Sequence, residues 1–234
     1  MSGEPRIAVA VLAGGMGTRL GSDVLKPFLP LLGHPLIHYS LQLFESLHEV
    51  SAIRVTVPEM HGPALERLLA PYPRRAYKGW VPGGATRAHS ALAALRALEQ
   101  DRPDVVLIHD AARPVVTREE VQALIEALPG KDGAFLASPP VDTLWRVEGD
   151  AAEATVERAQ LVRAFTPQAF PYATIREALE KGIEEGFEGT DDASYVRRYG
   201  GDVVWVEGSR WNIKVTYPED LVLVEAILGG SGCA

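Results

Sequence analysis

The stretch IAVAVLAGGMGTRLG (residues 7–21) runs from six apolar residues into a segment holding four glycines and one arginine. An unbroken apolar run of this length suits a strand covered on both faces, as in a parallel sheet. Glycine loses more conformational freedom on folding than any other residue, so four so close together destabilise unless the backbone conformation is needed. In an open α/β sheet, ligands bind outside the carboxyl ends of the strands, where this loop falls. Glycines let backbone N–H groups turn inward and form a nest for an anion. Arg19 adds a charge-assisted fork, and Lys26 beyond it adds a mobile point charge. The loop reads as phosphate-binding. It is not a Walker A loop, because the G-K-[ST] ending is missing. It is not a dinucleotide fingerprint either, since the third glycine comes one position late and Pro27 and Pro30 interrupt the next segment.

Outward from this stretch, the chain alternates short β-like runs with longer helical patterns. AIRVTV (52–57), DVVLIH (104–109), GAFLAS (133–138) and DVVWVE (202–207) join IAVAVL (7–12) as strands. Pro35 opens a helix whose Ile37, Leu41, Phe44 and Leu47 or His48 share one face. Residues 86–100 are rich in Ala and Leu and predict a strong helix. Thr117 with Glu120, and Thr216 with Glu219, have the spacing of capping boxes. Such alternation predicts an α/β fold with a doubly wound, mostly parallel sheet. Residues 138–170 break the rhythm, and TLWRV and ATVER predict a hairpin across EGDAAE. A lone hairpin is marginal, so it is expected to pack on something else, with a second subunit a good candidate. The chain reads as one domain, 1–234, with a β-arm at about 139–165.

The 234 residues are enough to bury a sizeable core, and 47% hydrophobic with 23% charged residues is ordinary for a globular protein. The formal net charge of −8 argues against nucleic acid or an anionic membrane as partner. One cysteine, Cys233, excludes an internal disulfide and a cysteine-built metal site, and a cytoplasmic location is expected. The run Ile7–Ala13 is too short to span a membrane, and with only Arg6 before it and glycines after it, it reads as a strand.

Among chemistry-bearing residues, Asp110 and Arg113 in IHDAARP (108–114) leave a buried strand at the ligand end, where a carboxylate suits Mg²⁺ or a hydroxyl. His109 beside them reads as structural. GGATRAHS (83–90) is a second glycine-rich turn before a helix and offers Arg87 and Ser90. Lys214 lies in an extended segment, where it either snorkels to solvent or joins Lys26 around a phosphate. In TDDAS (190–194), Thr190 or Asp191 reads first as a helix cap. Neither a Ser/His/Asp triad nor an HExxH zinc motif is present.

The ordered series AGGMGTRLG, LKPF, GGATRAHS, HDAARP, VDTL, FTPQ, TDDAS and NIKVTYPEDL resembles the 2-C-methyl-D-erythritol 4-phosphate cytidylyltransferase family, from about Ile7 to Leu228. The resemblance implies a nucleotide-diphospho-sugar-transferase-like fold and a homodimer whose β-arms reach the partner's site. It implies transfer of the cytidylyl group of CTP to methylerythritol phosphate with release of pyrophosphate, in non-mevalonate isoprenoid synthesis, with Mg²⁺ as cofactor. By resemblance, Arg19, Lys26 and Lys214 would hold the triphosphate and stabilise the transferred phosphorus. Ala13, Gly14, Gly15 and Gly17, with Gly84, Arg87, Ser90 and Asp110, would line the CTP side. Asp110 would also place the metal and the second substrate. Arg113, Thr190 and Asp191 would face that substrate, and Thr143, Arg158 and Thr166 would reach it from the other subunit. Ala85 stands where relatives usually carry an acidic residue, so base recognition is expected to rest more on backbone. Alternatives are a ribitol-5-phosphate cytidylyltransferase, a sugar-1-phosphate nucleotidyltransferase, or a nucleotide-binding regulatory module without turnover.

Overall fold

The computed structural model describes residues 5–15, 24–72 and 74–230. The opening apolar run forms strand β1 (Ile7–Leu12), buried along its whole length. A short ribbon, β2 (Pro30–Leu31) and β3 (His34–Pro35), leads into helix α1 (Leu36–Ser46), which starts directly after Pro35. Then come β4 (Val50–Val57), α2 (Gly62–Leu69), β5 (Tyr77–Pro82), α3 (Arg87–Leu98) and β6 (Val105–Asp110). The second half adds α4 (Arg118–Glu126), β7 (Gly133–Ser138), the hairpin β8 (Leu144–Glu148) and β9 (Ala151–Val156), and β10 (Arg163–Pro171). It ends with α5 (Tyr172–Glu184), α6 (Asp192–Arg198), β11 (Val203–Glu207) and α7 (Pro218–Gly230).

Seven strands make one sheet in the order β11-β7-β10-β6-β1-β4-β5. β10 runs antiparallel to both its neighbours, and the other pairs are parallel. The chain steps from β1 to β4 and β5 on one side, then returns to β6 on the other. Strand order therefore reverses between β1 and β6, and the crevice at such a point is where open sheets bind ligands. Register puts Leu12 opposite Asp110, and Ala111 N–H donates to Leu12 O at 3.0 Å, so the two strand-end loops leave side by side.

Side-chain alternation along β1 splits the core in two. Val9 and Val11 face α1, α2 and α4 through Phe44, Leu65 and Leu124. Ala8 and Ala10 face α3 and α5 through Leu95 and Leu179, where the small residues of strand and helix permit close approach. A smaller third cluster joins Leu31, Leu36, Val115, Val215 and Val224, with Ile213, Leu221 and Ile227 packed around it. Among the described residues no helix is long and apolar enough to cross a membrane.

Two local expectations need adjusting. Thr117 and Glu120 form the capping box at α4, but Thr216 and Glu219 do not form one at α7. There the Asp220 carboxylate accepts the N–H groups of Thr216 (2.7 Å) and Tyr217 (2.8 Å), and the Thr216 hydroxyl donates back to Lys214 O. The hairpin forms, with a tighter turn than the sequence implied. Glu148 pairs with Ala151, and Gly149 takes φ +56°, the left-handed value glycine tolerates at the first position of a type II′ turn.

Candidate active site

Asp110 ends β6 at the switch point, 8% exposed. Its Oδ1 accepts from Arg87 Nε at 3.1 Å and its Oδ2 from Lys214 Nζ at 2.7 Å. Arg87 begins α3, and its Nη1 lies 2.8 Å from Oδ2 of Asp192, the buried first residue of α6. Burial opposes ionisation of Asp110, yet Arg87, Lys214 and Arg113 outweigh it and hold the carboxyl well below the usual carboxylate range. At Asp192 burial wins against Arg87, and its carboxyl is pushed up.

Behind this group lies a chain of hydrogen bonds with one consistent direction. Asp110 N–H donates to Thr166 Oγ1 at 3.0 Å, and because Arg113 O can only accept, the neutral His109 ring keeps its hydrogen on Nε2 and takes one from the Thr166 hydroxyl at Nδ1, 3.2 Å away. His109 Nε2 then carries the hydrogen and gives it to Arg113 O at 3.2 Å. Burial lowers the His109 pKa to about 4, with Asp110 pulling the other way, so the ring is neutral near pH 7. Asn212 Nδ2 donates to Thr166 O at 3.1 Å, and Arg113 Nη1 to Asn212 O at 2.7 Å. This fastens the segment that carries Lys214.

The second glycine turn is held by Ser90, whose Oγ accepts from Gly84 N at 3.1 Å and donates to Thr86 O at 3.0 Å. A Cβ on Gly84 would stand 2.3 Å from His89 Cβ, so no larger residue fits without displacing the turn. Across from it, Lys26 N–H donates to Gly15 O at 3.2 Å and ties the 3₁₀ turn Lys26–Phe28 to the first glycine loop.

These elements enclose a cavity of about 380 Å³. Gly14, Gly15, Lys26, Gly84, Arg87, Ser90, Asp110 and Lys214 all line it, together with Thr86 of the GGATRAHS turn and Pro58, which carried no recognisable signal in the sequence. Arg19 and Gly17 lie outside the described residues. Ala13 sits behind the lining, its N–H donated to Thr56 O at 2.8 Å. Arg113 is set back, its guanidinium 5.3 Å from the Phe165 ring centre. Thr166 stands behind Asp110 of its own chain, its hydroxyl engaged by Asp110 and His109. Thr143 is exposed at the foot of the hairpin, and Arg158 donates to Val141 O there; neither lines the cavity. Asp191 caps α6, accepting from Ser194 N at 2.9 Å through one oxygen and from Gln168 Nε2 at 2.9 Å through the other. Thr190 is exposed beside it. Asp192 was missed, though it is the acidic residue of TDDAS that meets Arg87.

Two glycine-rich turns and two lysines line one cavity at the switch point of a mostly parallel sheet, the architecture of a nucleotidyltransferase-like α/β protein. Solved structures bear the same architecture. That of 2-C-methyl-D-erythritol 4-phosphate cytidylyltransferase from Thermus thermophilus superposes with TM-score 0.77 at 32% identity, covering 94% of this chain and 97% of that one. That of 4-diphosphocytidyl-2C-methyl-D-erythritol synthase from Anaerococcus prevotii gives TM-score 0.84 at 25% identity, covering 97% of each chain. The model of the 2-C-methyl-D-erythritol 4-phosphate cytidylyltransferase family, IspD, matches residues 7–230, and the chain belongs to that family. A relative of that name from Geotalea uraniireducens is 41% identical over 225 residues, which is 95% of this chain and 97% of its own. Another from Syntrophotalea carbinolica is 37% identical over 227 residues, 97% of each.

Proposed function

We propose that the protein transfers the cytidylyl group of CTP to 2-C-methyl-D-erythritol 4-phosphate. A phosphate oxygen of the second substrate attacks the α-phosphorus of CTP, the bond to the β-phosphate oxygen breaks, and pyrophosphate leaves. The product, 4-diphosphocytidyl-2-C-methyl-D-erythritol, belongs to non-mevalonate isoprenoid precursor synthesis. The observation that carries this reading is the meeting of Lys26 and Lys214 with both glycine turns in one cavity, given membership of the family. Two phosphates brought together need opposed cations, both to bind and to stabilise the charge gathering on the transferred phosphorus. The nucleophile is already ionised, so no general base is required. That agrees with a His109 that is buried, neutral and bonded through both ring nitrogens.

Within this reading Gly14, Gly15, Gly84 and Ser90 support the nucleotide, with Gly17 and Arg19 completing its loop. Arg113, Thr190 and Asp191 stand toward the second substrate. Among the described residues no group of three His, Cys, Asp or Glu side chains is placed to hold a metal. The lone carboxylate of Asp110 nevertheless suits Mg²⁺, which keeps several waters and takes most protein-independent ligands from substrate phosphates. There the ion would neutralise phosphate charge. The hairpin exposes Val141, Trp145 and Val147, consistent with an arm that pairs two chains as a homodimer and brings Thr143 and Arg158 to the partner's cavity, in one folded domain.

The test is pyrophosphate release with CTP, UTP or GTP against methylerythritol 4-phosphate, ribitol 5-phosphate and glucose 1-phosphate. Turnover with CTP and methylerythritol 4-phosphate is expected. Turnover confined to the hexose phosphate would overturn the reading.

A further inference from the structure

Gln168 lies buried on β10, between β7 and β6. A buried amide is costly unless its donors and its acceptor are met, and here they are met from two directions. Its Oε1 accepts from Ala193 N–H at 2.9 Å, in the first turn of α6. Its Nε2 donates to Asp191 Oδ2 at 2.9 Å and to Phe165 O at 3.3 Å. The other oxygen of Asp191 takes Ser194 N–H at 2.9 Å, so the fold engages that carboxylate on both sides. Over the Phe165 ring stands the guanidinium of Arg113.

The three residues that stand toward the second substrate thus hang from one amide: Thr190 and Asp191 through the start of α6, Arg113 through Phe165. The CTP side does not. Its second glycine turn is closed by Ser90 and its first is tied by Lys26 N–H to Gly15 O, and none of these bonds involves Gln168.

Resting on the cytidylyl-transfer reading, we infer that Gln168 is a positioning residue for the second substrate: its side-chain amide sets the start of α6 against Phe165, and with it the wall that the phosphorylated acceptor meets. Gln168 is absent from the cavity lining and touches no substrate in this scheme. A misplacement of about 1 Å at a reacting centre costs up to about 100-fold in rate.

The experiment is Gln168→Glu in the full chain. It keeps the bond from Ala193 but sets a second carboxylate oxygen 2.9 Å from Asp191 Oδ2. Two carboxylates so close share a proton, and the pair releases it well above the ordinary carboxylate range. While the proton is held, the bond to Asp191 is restored; once it is lost, the start of α6 is pushed away. The ratio of variant to wild-type kcat/KM for methylerythritol 4-phosphate is therefore expected to fall about tenfold as pH rises from about 6 to about 8.5, with the KM for CTP within about twofold of wild type. A ratio that ignores pH overturns the inference, as does an equal rise in both KM values.

If Gln168→Glu does not fold, Gln168→Met, of similar length without the hydrogen bonds, decides instead. Its KM for methylerythritol 4-phosphate is expected to rise about tenfold with that for CTP unchanged, and no rise, or an equal rise in both, overturns the inference. Hydrogen exchange at residues 190–198, followed by mass spectrometry without substrates, is expected to quicken in either variant. A wild-type protein inactive on CTP and methylerythritol 4-phosphate would sink the substrate reading alone, whereas unchanged exchange sinks the role of Gln168.

Discussion

Lys214 Nζ lies 2.7 Å from Asp110 Oδ2 although 104 positions separate the two residues. Val215 N–H, donated to Ala112 O at 2.8 Å, zips the lysine's segment beside the loop that follows β6. The lysine is half exposed and the aspartate nearly buried, so the pair bridges protein interior and cavity. In the proposed reaction an entering triphosphate would meet a cation already oriented by a carboxylate that stays ionised throughout the physiological range.

Lys214→Ala and Lys26→Ala are therefore expected to lower turnover by about 10² to 10³-fold each while leaving the melting temperature near wild type. Pyrophosphate release and a thermal melt check both halves. Near-normal turnover in either variant removes that lysine from the chemistry.

Asp110→Asn is expected to affect folding as well. It strips the countercharge from Arg87 and Arg113, both largely enclosed, and breaking such a pair from one side costs about 3 kcal/mol. A urea titration should show the midpoint fall. A stable but inactive variant would mean that Asp192 alone suffices for Arg87.

His109 makes stability depend on pH. Its folded pKa of about 4 lies below the ordinary 6.5. The unfolded chain thus binds more protons in that interval, and stability is lost as pH falls from 6.5 to 4, by about 3 kcal/mol in all. Above 6.5 the contribution is fully present. Melting temperatures of His109→Asn should vary less across this window than those of wild type.

Gly84→Ala is expected to raise the KM for CTP by at least about tenfold, because the added carbon meets His89 and displaces a turn that Ser90 fastens. Initial-rate kinetics at varied CTP give the answer.

If the hairpin serves the partner's cavity, mixing Arg158→Ala chains with Lys26→Ala chains should recover part of the activity that each lacks alone. Heterodimers shown to form, yet still inactive, would falsify a shared site.

Much of this architecture was readable in the chain. β1 and β7 fall where their apolar runs lie, and β4, β6 and β11 differ from expectation by one or two residues. Both glycine turns, Lys26, Asp110 and Lys214 converge on the cavity. β10 stayed hidden because Thr166, Pro167 and Gln168 interrupt it with residues that read as loop, while the side chains of Thr166 and Gln168 bond to Asp110, Asp191 and Ala193. β5 was obscured by Lys78, Gly79 and Pro82 at an edge where one side needs no partner. The Arg87–Asp192 pair was invisible for a different reason: nothing local links residues at the starts of two separate helices, and only the three-dimensional packing brings them together.

The smallest of the three apolar clusters carries a consequence out of proportion to its size. Leu31 and Leu36 follow the Lys26 turn, Val215 is the residue after Lys214, and Val224 belongs to the last helix. Both lysines are thus moored to one patch outside the main core. Trimming Val224 to alanine, far from any substrate, should surface as an enzyme defect before it surfaces as a loss of fold, so a harmful variant in α7 would be mistaken for an active-site lesion by anyone measuring rates alone.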